Sequence, residues 1–177
     1  MCSDSDRELG EITVSGARTS EELDEVRRLF LEYAAELGWD LDSTSTLARE
    51  IDELPGPYAS PDGMLLVARV DGEIAGVVGL QPIPAEARTP GIGAECFGEL
   101  KRLYVRPRHR RLGIARTLMR RAEAEACARG YKALVLTTSA ELMPLAQSLY
   151  DALGYGPTEP YRTDLPWPDI RWLKLDL

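Results

Sequence analysis

Asp71-Gly72 lies between two apolar runs, residues 64–70 and 73–80, and it constrains the fold of this 177-residue chain more tightly than any other feature. Both residues of such a turn need positive φ, which Asp tolerates and Gly favours, so the two runs are expected to return on each other as a β-hairpin. Residues 12–14 read as a short first strand. Residues 20–37 follow as an amphipathic helix, with Leu23, Val26, Phe30, Tyr33, Ala34 and Leu37 on one face and Ser20, Glu21 and Glu22 as cap and acidic first turn. A weaker helix is expected over residues 45–54, stopped by Pro55-Gly56-Pro57.

Beyond the hairpin, residues 81–98 are rich in Pro and Gly without periodicity and read as a loop. Residues 100–105 form a strand that Pro107 ends. A helix is expected from Gly113 to about Arg129, burying Ala115, Leu118, Met119, Ala122 and Ala126, with Gly130 as its stop. Residues 133–138 have the β-branched, apolar profile of a buried strand. Residues 143–153 are expected as a helix burying Leu145, Ala146, Leu149 and Leu153, and residues 172–177 as a last strand. The pattern is a mixed α/β domain spanning residues 1–177, with about residues 1–10 expected to be disordered.

Composition narrows the class. Hydrophobic residues make up 44% and charged residues 28%, which suits a globular core. No apolar stretch is long enough for a membrane span, and the polar start of the chain does not read as a signal peptide. Cys2, Cys96 and Cys127 are odd in number and lack metal spacing, which favours reduced thiols in a cytoplasm. Net charge is −8, yet nine of the 21 Lys and Arg residues lie between Lys101 and Arg121, a stretch with no Asp or Glu. A basic island in an acidic protein suggests a small anionic ligand held at one place, whereas a nucleic-acid partner would predict a basic domain overall.

That island contains Leu103-Tyr104-Val105-Arg106-Pro107-Arg108-His109-Arg110-Arg111-Leu112-Gly113-Ile114-Ala115. A strand enters a basic turn whose backbone N–H groups lie at a helix start, an anion site made of unsatisfied amides and the positive dipole end, with Arg110, Arg111 and Arg116 nearby. Here Arg110-x-x-Gly113-x-Ala115 resembles the acetyl-coenzyme A signature of the GNAT N-acetyltransferases, [Q/R]-x-x-G-x-[G/A]. Downstream, Leu149-Tyr150-Asp151-Ala152-Leu153-Gly154-Tyr155 is similar to the L/F-Y-x-x-x-G-F/Y segment of the same superfamily. Glu99-Leu100-Lys101-Arg102-Leu103-Tyr104-Val105 resembles a subgroup carrying E-L-K-R-L-Y-V. The likeness runs roughly from residue 20 to 155 and is distinctive over residues 100–155.

The resemblance implies an α/β fold with a central mixed, mostly antiparallel twisted sheet of six to seven strands and about four helices. It implies acetyl-coenzyme A as co-substrate, with Leu103, Tyr104, Val105, Arg110, Arg111, Leu112, Gly113, Ile114, Ala115 and Arg116 holding it. The implied reaction is direct attack of a primary amine on the thioester in a ternary complex, with the amide N–H of Leu103 as oxyanion donor. Tyr150 is the implied general acid and Glu99 the candidate base, directly or through water. The strand over residues 133–138 lacks the Asn many members place after it, leaving Thr138 or Ser139 as substitutes. A homodimer is also within what the resemblance implies.

Other chemistries fit less well. His109 is the one histidine, sits among arginines and has no G-x-S-x-G partner, so nucleophilic hydrolysis is not expected. With no paired cysteines and no DxD cluster, no metal site is expected. A non-catalytic acyl-coenzyme A sensor is the alternative that keeps the same binding turn. The acidic remainder, the loop over residues 81–98 and the segment 161–169 are expected to favour a cationic amine, small or peptidic, and Trp39, Trp167 and Trp172 either line the acceptor pocket or pack.

Overall fold

The turn at Asp71-Gly72 has φ of 51° and 84°, and β2 (Met64–Val70) and β3 (Glu73–Pro82) pair antiparallel across it. The computed structural model describes residues 10–42, 45–139, 141, 143–165 and 170–177. β1 (Ile12–Gly16) adds antiparallel to β2, and β4 (Phe97–Val105) adds antiparallel to β3. The chain then crosses through α3 (Ile114–Ala128) to β5 (Ala133–Ser139), which pairs parallel with β4. β7 (Ile170–Asp176) is antiparallel to β5 and carries the two-residue edge strand β6 (Gly156–Pro157). The sheet order is β1-β2-β3-β4-β5-β7-β6, a seven-stranded mixed sheet with one parallel pair.

Two helices cover each face. α1 (Ser20–Glu36) and α2 (Thr46–Glu53) lie over one side, where Val26, Leu29 and Phe30 meet Leu65, Val67 and Val77. α3 and α4 (Pro144–Leu153) lie over the other, where Leu118, Met119 and Ala122 meet Leu66, Ala68, Val78 and Leu80. Neighbouring residues of β2 therefore serve opposite cores, which is why its apolar run is nearly continuous. The fold class is the one the sequence implied.

Several boundaries differ from the expectations, each for a local reason. α1 is capped by Thr19, not Ser20, because Thr19 and Glu22 form a reciprocal capping box. β4 starts at Phe97 rather than Leu100, since Phe97, Gly98 and Glu99 find partners on β5 that periodicity cannot show. The loop over residues 81–98 is shorter than expected and holds two single 3₁₀ turns, Ala85–Ala87 and Ala94–Cys96. Leu145, expected in the core, is 85% exposed, so the buried face of α4 turns on Tyr150 and Leu153. The expected disorder at the N-terminus falls, apart from Gly10, outside the described residues, as does Trp167.

Candidate active site

β4 and β5 stay paired only from Phe97 opposite Ala133 to Glu99 opposite Val135, and then separate. A bulge drives β4 away: Val77 and Gly79 of β3 pair with Tyr104 and Lys101, so Arg102 and Leu103 together face the single residue between. Arg102 takes φ 60°, a strained value for a residue with a Cβ. The separated strands open a cavity of about 1010 Å³. Leu103, Met119, Leu136, Thr138 and Tyr150 line it, as do Tyr33, Trp39, Glu50, Lys101, Arg102 and Arg162.

The basic turn leaves the far end of β4. Arg111 and Gly113 adopt φ of 66° and 80°, and α3 begins at Ile114 without any side-chain cap. The N–H groups of residues 111–116 thus have no hydrogen-bond partner among the described residues beyond what the helix supplies, which is none for its first turn. Alternating left- and right-handed residues of this kind turn successive amides toward one point. A Cβ on Gly113 would meet nothing within 4 Å, so the space before these amides is open.

Ion pairing sorts the nine basic residues of the island. Lys101 and Arg102 bind Glu50, Arg106 binds Glu25 and Glu32, and Arg108 binds Glu73. Arg110, Arg120 and Arg121 bind Glu36, Glu123 and Glu125. Only Arg111 and Arg116 are without a salt bridge among the described residues, and both are exposed beside the free amides. The island's cations that have no ion pair among the described residues therefore lie at the turn.

The ten residues expected to hold coenzyme A form one continuous strand end, turn and helix start, but they do not all present side chains. Arg110 donates to the carbonyl of Val105 (2.9 Å) and to Glu36 (2.6 Å), and lies over the Tyr104 ring, so its side chain pins the turn to β4 and α1. Tyr104, Val105 and Ile114 point into the cores. What remains for an anion is backbone, with Arg111 and Arg116.

Tyr150 lines the cavity from α4. Burial raises its phenol above the ordinary range, with a smaller contribution from Tyr33, and its hydroxyl makes no hydrogen bond among the described residues. Thr138, at the end of β5, lines the same cavity with a buried Oγ1 that likewise has no partner among the described residues.

Glu99 is placed differently from the expectation. It is 2% exposed and outside the cavity lining, and its oxygens accept from Gln81 Nε2 (2.8 Å), Arg162 Nη1 (2.5 Å) and the Tyr161 hydroxyl (3.3 Å). It anchors Arg162, which in turn binds Asp164 (2.7 Å).

A second buried carboxylate, Glu50 of α2, escaped sequence reading. It accepts from Tyr58 (2.7 Å), Lys101 Nζ (3.0 Å) and Arg102 Nε and Nη2 (2.8 and 3.0 Å). Burial raises its pKa, but the Arg102 hydrogen bonds, the Lys101 and Arg102 charges and Tyr58 outweigh this and lower it to about 2. A signal for it was present. Glu50 follows Leu47 by three and precedes Ile51, so helical spacing puts it on the apolar face of α2. Among the tryptophans, Trp39 lines the cavity and Trp172 packs edge-on against Tyr161.

The Acetyltransferase (GNAT) family model matches residues 23–155, and the chain belongs to that family. A relative from Schizosaccharomyces pombe, named as an uncharacterized N-acetyltransferase, is 34% identical over 170 residues, covering 94% of this chain and 95% of its own. A GNAT acetyltransferase structure from Staphylococcus aureus superposes with a TM-score of 0.71 at 19% identity, covering 94% of this chain and 99% of its own. A Salmonella typhimurium structure solved with its cofactor acetyl-CoA superposes with a TM-score of 0.66 at 18% identity, covering 93% of each chain. At these identities the two structures speak for the fold. Among the described residues, no helix is long and apolar enough to cross a membrane.

Proposed function

We propose that this chain moves an acetyl group from acetyl-coenzyme A to a primary amine by direct attack in a ternary complex. The observation that carries the reading is the β4–β5 opening, which has Leu103 and Tyr150 on its wall and whose strand β4 runs on into the turn of free amides. Acetyl-coenzyme A supplies an activated acyl thioester when bound. The amides of residues 111–116 hold its pyrophosphate, and Arg111 and Arg116 balance its charge. The Thr138 hydroxyl offers the polar contact that the missing Asn would make.

Inside the opening, the Leu103 N–H meets the charge that develops on the carbonyl oxygen. Tyr150 keeps its proton at neutral pH, because burial raises its pKa, and gives it to the departing thiolate. The amine loses one proton to water before attack and a second after it, and solvent returns a proton to Tyr150. Glu99, held by three donors, holds Arg162 and takes no proton. Titrating the protein with acetyl-coenzyme A by calorimetry tests the reading first. Saturable binding that is lost in Gly113→Glu supports it, and absence of binding up to millimolar concentration refutes it.

A further inference from the structure

Resting on that reading, we infer that the acceptor is an amino acid or a close analogue, an amine that also carries a carboxylate. Three buried cationic side chains line the cavity, Lys101, Arg102 and Arg162, whose side-chain exposures are 15%, 10% and 6%. Two equally buried carboxylates, Glu50 at 6% and Glu99 at 2%, face them. The remaining partner, Asp164, accepts from Arg162 but is 47% exposed, so water screens its charge. Burial that leaves a cation short of a counter-charge costs free energy unless a further anion arrives.

The donors are correspondingly under-used. Lys101 Nζ has three N–H groups and one acceptor, Glu50 Oε1, among the described residues. Arg102 uses Nε and Nη2 on Glu50, and its Nη1 has no acceptor there. Both side chains line the cavity. In keeping with a positive surrounding, burial and the neighbouring Arg102 hold the Lys101 ammonium below its ordinary pKa despite Glu50 and Glu99.

The mouth has the opposite sign. Asp40, Asp42, Glu53 and Glu86 line it with exposed side chains, against Arg49. A bare cation is drawn to this mouth and repelled by the floor, and a bare anion is repelled before it arrives. A zwitterion suits both, with its carboxylate on Lys101 and Arg102 and its nitrogen left for the thioester near Leu103. Composition alone pointed to a cationic amine. Folding changes that, because Glu25, Glu32 and Glu36 of α1 and Glu50 of α2 are used on the island's own cations.

The test compares thiol release from acetyl-coenzyme A with the primary-amine L-amino acids, each beside the amine left when its carboxylate is removed, such as L-phenylalanine beside phenethylamine. The best amino acid is expected to exceed its decarboxylated partner in kcat/KM by about tenfold or more, the scale of a charge-assisted hydrogen bond. Lys101→Met should raise KM for the amino acid by about tenfold at little cost in kcat, leave the decarboxylated amine unaffected, and be partly rescued by Lys101→Arg. Decarboxylated amines that match or beat the amino acids overturn the inference and leave acetyl transfer standing. If no amine of either kind is acetylated, acetyl transfer itself fails. Thermal shift with N-acetyl-L-amino acids against the matching N-acetylamines, coenzyme A present, then decides the inference alone. Larger shifts for the acids uphold it, and equal shifts overturn it.

Discussion

Tyr150 and Gly113 bear the sharpest expectations at the scale of single residues. Tyr150→Phe removes one hydroxyl that no described residue needs for packing, so the fold and acetyl-coenzyme A affinity should persist while turnover drops about 10²-fold, the lower range for a general acid. Calorimetry paired with a thiol-release assay checks both halves, and unchanged turnover would remove Tyr150 from the mechanism. At Gly113, φ of 80° is costly for any residue with a Cβ, and a side chain there enters the space before the free amides. Gly113→Glu should therefore weaken acetyl-coenzyme A binding by more than about 10²-fold, through charge and bulk together. Glu99→Gln discriminates anchor from base: an unchanged acidic limb in the pH–rate profile fits an anchor, and loss of that limb restores Glu99 as the proton acceptor.

Between elements, Glu50 ties α2 to β4. Its folded pKa of about 2 lies below the ordinary 4.5, so the stability it contributes is fully present above pH 4.5 and is lost as the pH falls toward 2. The stability gap between the wild type and Glu50→Gln should accordingly narrow over that window, which thermal melts at pH 5 and near pH 2.5 will show. A gap independent of pH would mean that Glu50 is not held ionised by Lys101 and Arg102. Tyr58, the neutral donor to Glu50, lies against β3 where Gly79 leaves room, and a Cβ at Gly79 would come within 2.4 Å of its ring. Gly79→Ala should cost about 1–3 kcal/mol by overpacking, read as a lowered Tm, and should disturb the cavity wall through Tyr58.

Over the whole molecule, the opening between β4 and β5 is where a ligand can join the two halves of the sheet, since these strands share only three paired positions. Acetyl-coenzyme A at about 100 times its Kd should add about 2.7 kcal/mol, which for a chain of this size is a rise in Tm of about 5–10 °C. Scanning fluorimetry across a concentration series checks this, and a Tm indifferent to the ligand would count against the site. The same scale explains the charge pattern. An acidic protein with a basic island retains, after pairing, an exposed positive turn at Arg111 and Arg116 and a buried positive floor at Lys101, Arg102 and Arg162.

Local signals were enough for much of this. The Asp71-Gly72 turn, the periodicity of α1 and α3, and Arg110-x-x-Gly113-x-Ala115 ahead of a helix are properties of neighbouring residues, and they made the hairpin, the uncapped turn before α3 and the family legible in the sequence. The place of Tyr150 on α4 was legible for the same reason, being carried by a contiguous segment, and packing puts it on the cavity wall. Tertiary structure alone decided that β4 begins at Phe97, that Leu145 faces solvent, and that Glu99 is locked by Gln81, Tyr161 and Arg162. It also brought Glu50 to Lys101 and Arg102, residues about fifty positions away. Pairings of this kind depend on which strands and helices pack together, and a charge becomes part of a site only once packing has chosen its neighbours and removed its water.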